Sequence, residues 1–103
     1  MLKKRFFKTK SECEVTFELS AEETGDDAAT VELICEANGW RPVEMKKNKK
    51  GAFRTKMRFP QEGEFQFLYR VNEHAWLNDE TADAQRPNGF GGTNSVLHTD
   101  PLR

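Results

Sequence analysis

Two cysteines, Cys13 and Cys35, two histidines, His74 and His98, and seventeen carboxylates are the groups in this 103-residue chain that could make or break bonds. None forms a recognisable constellation. The histidines have no ligand-like spacing to the cysteines, so a zinc site is not expected. Nucleophilic catalysis by a Cys–His pair needs an exposed, activated thiolate, yet both cysteines fall on the inward parity of alternating segments. Glycoside hydrolysis needs one carboxylate pair flanking one bond, whereas the acids here lie on outward positions or in the 20–28 connection. "GFGG" precedes a strand rather than a helix, which argues against a phosphate cradle. The expectation is a protein without catalysis, metal or cofactor.

Binding chemistry is better represented. Trp40 follows the Asn-Gly pair at 38–39, and Trp76 follows the polar stretch Asn72-Glu73-His74. Both lie outside the alternation that defines the core, and a glycine-rich loop further on leads to Asn94. A lone tryptophan at a strand end usually plugs the end of a sandwich. Two of them, with a polar loop nearby, suggest an aromatic platform, because flat rigid rings lose little entropy on binding. Such a platform suits the apolar faces of sugar rings, with polar neighbours taking the hydroxyls.

The elements that would carry these residues are read from period-two alternation. "ECEVTFEL" (12–19) puts Cys13, Val15, Phe17 and Leu19 on one face. "TVELICE" (30–36) does the same with Val31, Leu33 and Cys35. "FRTKMRF" (53–59) turns Phe53, Met57 and Phe59 inward, and the strand starting at "EGEFQFLYRV" turns in Phe65, Phe67, Tyr69 and Val71. A last short strand lies near 94–99. "NGW" has a tight-turn signature, and "DETADAQ" (79–85) could make one helical turn at most. Six to eight short strands separated by turns indicate an all-β, antiparallel sandwich. If 12–19 and 29–36 pair with each other, Val15 faces Leu33 and Cys13 faces Cys35, at a spacing that permits a disulfide. The expectation is free, buried thiols.

Hydrophobic residues make up 36% of the chain and charged residues 32%, with a net charge of −1. That balance gives no overall pull toward nucleic acid or membrane. The charge is nevertheless blocked. Residues 1–10 carry five bases and no acid, 11–40 nine acids and no base, and 41–58 eight bases against Glu44. Such blocks suggest complementary strand faces or a partner, and are usually solvated surface; residues 1–11 read as a basic N-terminal arm. No apolar run reaches membrane-spanning length and no signal-peptide pattern opens the chain, so a cytoplasmic location is expected.

"VELICEANGWRPVEM", "GAFRTKMRFPQEGEFQFLYRVNEHAWLND" and "NGFGGTNSVL" keep the motif order of a known family. Over residues 12–99 the chain resembles the family 48 carbohydrate-binding module, the early-set, immunoglobulin-like domain found ahead of isoamylases and glycogen-branching enzymes. The resemblance implies one domain over 12–99, with 100–103 as a tail. It implies binding of α-1,4-linked glucan (glycogen, starch or maltodextrin), with a glycogen-metabolism protein as a further partner. Carried over by position, the stacking tryptophans are Trp40 and Trp76, the hydroxyl-binding asparagine is Asn94, and the apolar residue projecting from the loop is Phe90. The chain departs from the pattern at Cys35, at Ala37 and at Leu68, where a basic residue is usual. Arg70, two positions on and on the same face, is the candidate replacement, with Leu68 giving apolar contact. The rival expectation is a protein–protein interaction sandwich that has lost sugar binding.

Overall fold

The structure is a computed structural model, described here for residues 1–25, 27–89 and 91–101. Alternation becomes strand throughout. The strands are β1 (Leu2–Phe6), β2 (Glu12–Leu19), β3 (Val31–Cys35), β4 (Val43–Glu44), β5 (Lys46–Lys47), β6 (Phe53–Pro60), β7 (Glu64–Val71), β8 (Ala75–Leu77), β9 (Ala84–Pro87) and β10 (Thr93–His98). They form two antiparallel sheets. One runs β1-β2-β6-β5; the other runs β4-β3-β7-β10-β9, with β8 also paired to β7. The fold is the expected immunoglobulin-like, early-set sandwich, with ten strands among the described residues where six to eight were expected. The extra ones are mainly short edge pieces.

The inward set is largely as read, with Met57 and Phe65 only partly buried against the core. Cys13, Val15, Phe17, Leu19, Val31, Leu33, Cys35, Phe53, Phe59, Phe67, Tyr69 and Val71 are all buried. Phe17 of β2 meets Phe67 of β7 edge-on, with ring centroids 5.2 Å apart, and Phe67 meets Tyr69 in the same way at 5.6 Å. Edge-to-face aromatic pairs add about 0.5–1.5 kcal/mol beyond their burial. The first of these contacts locks the two sheets together directly behind the part of β7 that carries the site.

Two expectations are corrected. The segment 2–6 is a strand rather than a free arm: Leu2 pairs with Phe17 and Phe6 with Cys13. Its alternation was hidden by Lys4, which takes a half-buried position and sends its ammonium to Asp83 at 2.6 Å. The second correction concerns register. β2 and β3 do not pair; they lie in different sheets, with Cys13 opposite Phe59 and Cys35 opposite Phe67. Charge is compatible with the choice. The β2–β6 register sets Glu14 against Arg58 and Glu18 against Arg54, whereas the hairpin register would have set Glu12 against Glu36, a repulsive cross-strand pair. Between β2 and β3 the chain crosses to the other sheet through a one-turn helix, Ala21–Thr24. Ser20 and Glu23 close it with a capping box, the reciprocal side-chain to backbone pattern that Ser-x-x-Glu favours. Both thiols are free and buried. The 79–85 stretch forms turns leading into β9, with no helix.

β7 and β8 are joined by Asn72-Glu73-His74. Asn72 and Glu73 have φ values of 51° and 65°, the left-handed pair that hairpin turns require and that glycine adopts without penalty. Asn72 serves twice, since its Oδ1 accepts from the backbone N–H of Ala29 at 2.7 Å and of Thr30 at 3.2 Å. Glu73 is exposed and brings only strain. Glu73→Gly is therefore expected to raise unfolding stability by about 0.5–1 kcal/mol. Chemical denaturation checks this, and a destabilised variant would show that Glu73 makes a compensating interaction.

Candidate functional site

β7 positions the site because its two edges are occupied differently along its length. One edge takes β3 over Phe67–Val71. The other takes β10 over Glu64–Phe67 and then β8 over Tyr69–Val71. With Phe67, Tyr69 and Val71 turned into the core, Gln66, Leu68 and Arg70 must face outward. Trp76 lies directly opposite Arg70. The β10 register, carried one residue beyond Ser95 opposite Phe67, sets Asn94 level with Leu68. Trp40 arrives from the far side, in the chain that leaves β3.

The result is an open groove of about 860 Å³ lined by Trp40, Leu68, Trp76, Leu77, Asn78, Asn88, Gly91, Gly92, Thr93 and Asn94. Four residues expected from the sequence, Trp40, Leu68, Trp76 and Asn94, meet there. Trp76 is 55% exposed and Trp40 42%, so neither is a buried plug. Phe90, the fifth candidate, lies outside the described residues. No charged side chain lines the groove among the described residues. It is an uncharged surface of exposed indoles, aliphatic floor and amides.

The conformation of Trp40 is unusual. Residues 36–38 form a single 3₁₀ turn, Gly39 adopts a left-handed conformation, and the Trp40 N–H closes the loop on the Cys35 carbonyl at 2.9 Å. Trp40 itself has φ of 65°. For a bulky residue this is strained, and strain of this kind gathers at ligand sites, where the surroundings impose it. The "NG" pair thus makes a tight turn as read, but of helical type with the tryptophan inside it. Trp40→Gly should accordingly be more stable than Trp40→Ala by about 1 kcal/mol, while both lose the exposed ring. Parallel thermal melts of the two variants decide this; a less stable glycine variant would mean the left-handed backbone is not a source of strain.

The amides are arranged by neighbours. Asn94 donates from Nδ2 to Gln66 Oε1 at 2.9 Å, which assigns its Oδ1 as the remaining acceptor. Asn78 donates to the Thr93 hydroxyl at 2.6 Å. Sequence reasoning missed Asn78, Asn88, Thr93 and Leu77. Asn78 was accessible by extending the parity of β8 two residues past Trp76. Asn88 and Thr93 flank the glycine loop, and nothing in their types marks them.

Arg70 stands one row from the groove rather than in its lining. Its Nε and a terminal nitrogen both meet Oε1 of Glu32, at 2.9 and 2.7 Å. Its guanidinium carbon lies 5.9 Å from the centroid of the Trp76 ring, within cation–π range.

Behind the site sits Asp79, fully buried and absent from the sequence-based candidates. Its carboxylate accepts from the Tyr69 hydroxyl at 2.7 Å and from the Thr81 N–H and hydroxyl at 2.8 and 2.6 Å, and it meets the Met1 ammonium at 3.2 Å. Its own backbone N–H donates to Ser95 at 2.8 Å. Burial pushes its pKa up, but the Thr81 and Tyr69 hydrogen bonds and the nearby ammonium outweigh burial and hold it below the ordinary carboxylate value. Burial and the Asp79 charge together push the Tyr69 phenol up. Burial also raises both thiols, Cys35 to about 11, so neither is poised as a nucleophile. Among the described residues, no group of three or more His, Cys, Asp or Glu side chains is placed to hold a metal ion. No helix among them is long and apolar enough to cross a membrane.

No protein-family model and no curated protein matches this chain. Solved structures do. The enterobactin esterase FES from Shigella flexneri, in the presence of 2,3-dihydroxy-N-benzoyl-serine, superposes with a TM-score of 0.75 at 11% identity, covering 99% of this chain and 34% of that one. Ferric enterobactin esterase from Salmonella typhimurium gives 0.75 and 11%, covering 99% and 35%. The fold is shared with one portion of these esterases. This chain spans about a third of their length.

Proposed function

We propose that this protein is a non-catalytic module that binds α-1,4-linked glucan on the groove formed by Trp40, Leu68, Trp76 and Asn94. The observation carrying this reading is that two exposed tryptophans from opposite edges of β7 line one uncharged groove together with an asparagine. Indole rings stack on the apolar faces of glucose, Leu68 adds contact between them, and Asn94 takes a hydroxyl through Oδ1. The family 48 resemblance of the motifs points the same way.

Aromatic stacking is worth roughly 1–3 kcal/mol per ring, by analogy with bases on aromatic side chains. Two rings then supply about 2–6 kcal/mol, which corresponds to dissociation constants from tens of micromolar to tens of millimolar. Weak affinity suits glycogen or starch, where many chain ends raise the effective concentration. The test is retention on immobilised glycogen or amylose against cellulose. Retardation on the α-glucans alone supports the proposal. Passage through all three columns unretarded favours a sandwich that binds protein instead.

A further inference from the structure

Glu32, Arg70 and Trp76 occupy one row across three adjacent strands, Glu32 opposite Arg70 and Arg70 opposite Trp76. Side chains so aligned on one face of a sheet are near enough to interact, and here they form a chain. The carboxylate of Glu32 fixes the guanidinium through two nitrogens, and the guanidinium carbon lies 5.9 Å from the centroid of the indole. The ion pair is partly sheltered, with Arg70 27% and Glu32 19% exposed at their side chains. Trp76, by contrast, is more than half exposed and sits on a strand of only three residues. A ring so exposed, on so short a strand, gains little restraint from packing.

We infer that Arg70, anchored by Glu32, is a positioning residue that fixes the Trp76 ring for its ligand, rather than a donor to the ligand itself. The guanidinium carbon stays within about 6 Å of the ring centroid, inside cation–π range, while two of its nitrogens are held by the carboxylate. Restraining a side chain before binding removes ordering that binding would otherwise have to impose. Arg70 thus acts on affinity through Trp76. The effect on glucan rests on the function proposed above; the support of the indole does not.

Collisional quenching by acrylamide separates the two. In a Trp40→Phe background Trp76 is the sole tryptophan. Arg70→Met keeps an apolar stem but removes the cation, and should raise the quenching constant about twofold, with Arg70→Lys and Glu32→Gln between it and the parent. In the protein retaining Trp40, Arg70→Met should weaken maltoheptaose binding about tenfold, and Arg70→Lys should restore part of it. Unchanged quenching in Arg70→Met overturns the inference whether or not glucan binds. So does raised quenching with undiminished glucan affinity. If the parent protein does not bind maltoheptaose at all, the glucan reading fails, and the quenching series still decides whether Arg70 holds the ring.

Discussion

Replacing Trp76 with alanine should lower α-glucan affinity by about ten- to a hundredfold, the equivalent of one lost stacking ring, while leaving unfolding stability nearly unchanged. The ring is 55% exposed and no part of the core depends on it, so what it contributes is contact area for a ligand. Arg70 lies within cation–π range of the ring, and a surface cation–π contact is worth only about 0.5–1 kcal/mol. Loss of retention with an unaltered melting curve is the expected pair of results. A variant that melts well below the parent would show that Trp76 closes the sandwich, and the platform would lose its central member.

The largest structural effect is expected at Asp79. Asp79→Ala removes a buried acceptor that serves the Tyr69 hydroxyl and both donors of Thr81. Leaving such donors unmade, with Tyr69 itself wholly buried, should cost about 3 kcal/mol or more. For a domain of this size that lowers the melting temperature by roughly 12–24 °C. Tyr69→Phe, which removes only one donor, should cost about 1–2 kcal/mol. The pH dependence follows from the direction of the Asp79 shift. A carboxyl whose folded pKa is depressed adds stability above its unfolded value, near 3.8, and that stability is lost as pH falls through the folded value. The gap between wild type and Asp79→Ala should therefore narrow, without closing, in strongly acid solution. A constant difference from neutral pH down to the acid limit would mean that the Asp79 charge contributes nothing.

How far the sequence carried this picture depends on which interaction decided each feature. The core faces of β2, β3, β6 and β7 were legible because strict alternation leaves one choice of inward face. The site was legible for a related reason, since Trp40 and Trp76 stand out as large apolar residues that no alternation absorbs. The partnership of strands was not legible. The assumption that neighbours in sequence pair sent Cys13 to Cys35, whereas β2 takes β6 as its partner, with Glu14 and Glu18 opposite arginines. β1 was missed because Lys4 interrupts its inward face, its ammonium being held by an aspartate 79 residues away. Asp79 was missed for the opposite reason. A buried acid looks like a surface acid until Tyr69, Thr81 and Ser95 are brought around it.

The fold likeness to portions of two esterases leaves the ligand to be found at the groove itself. The most direct measurement is a nuclear magnetic resonance titration with maltoheptaose, following the two indole N–H signals and the side-chain amide of Asn94. The account predicts that all three move together along one curve, with a dissociation constant between tens of micromolar and tens of millimolar. Signals that stay fixed at about 100 mM sugar, above that range, would contradict it.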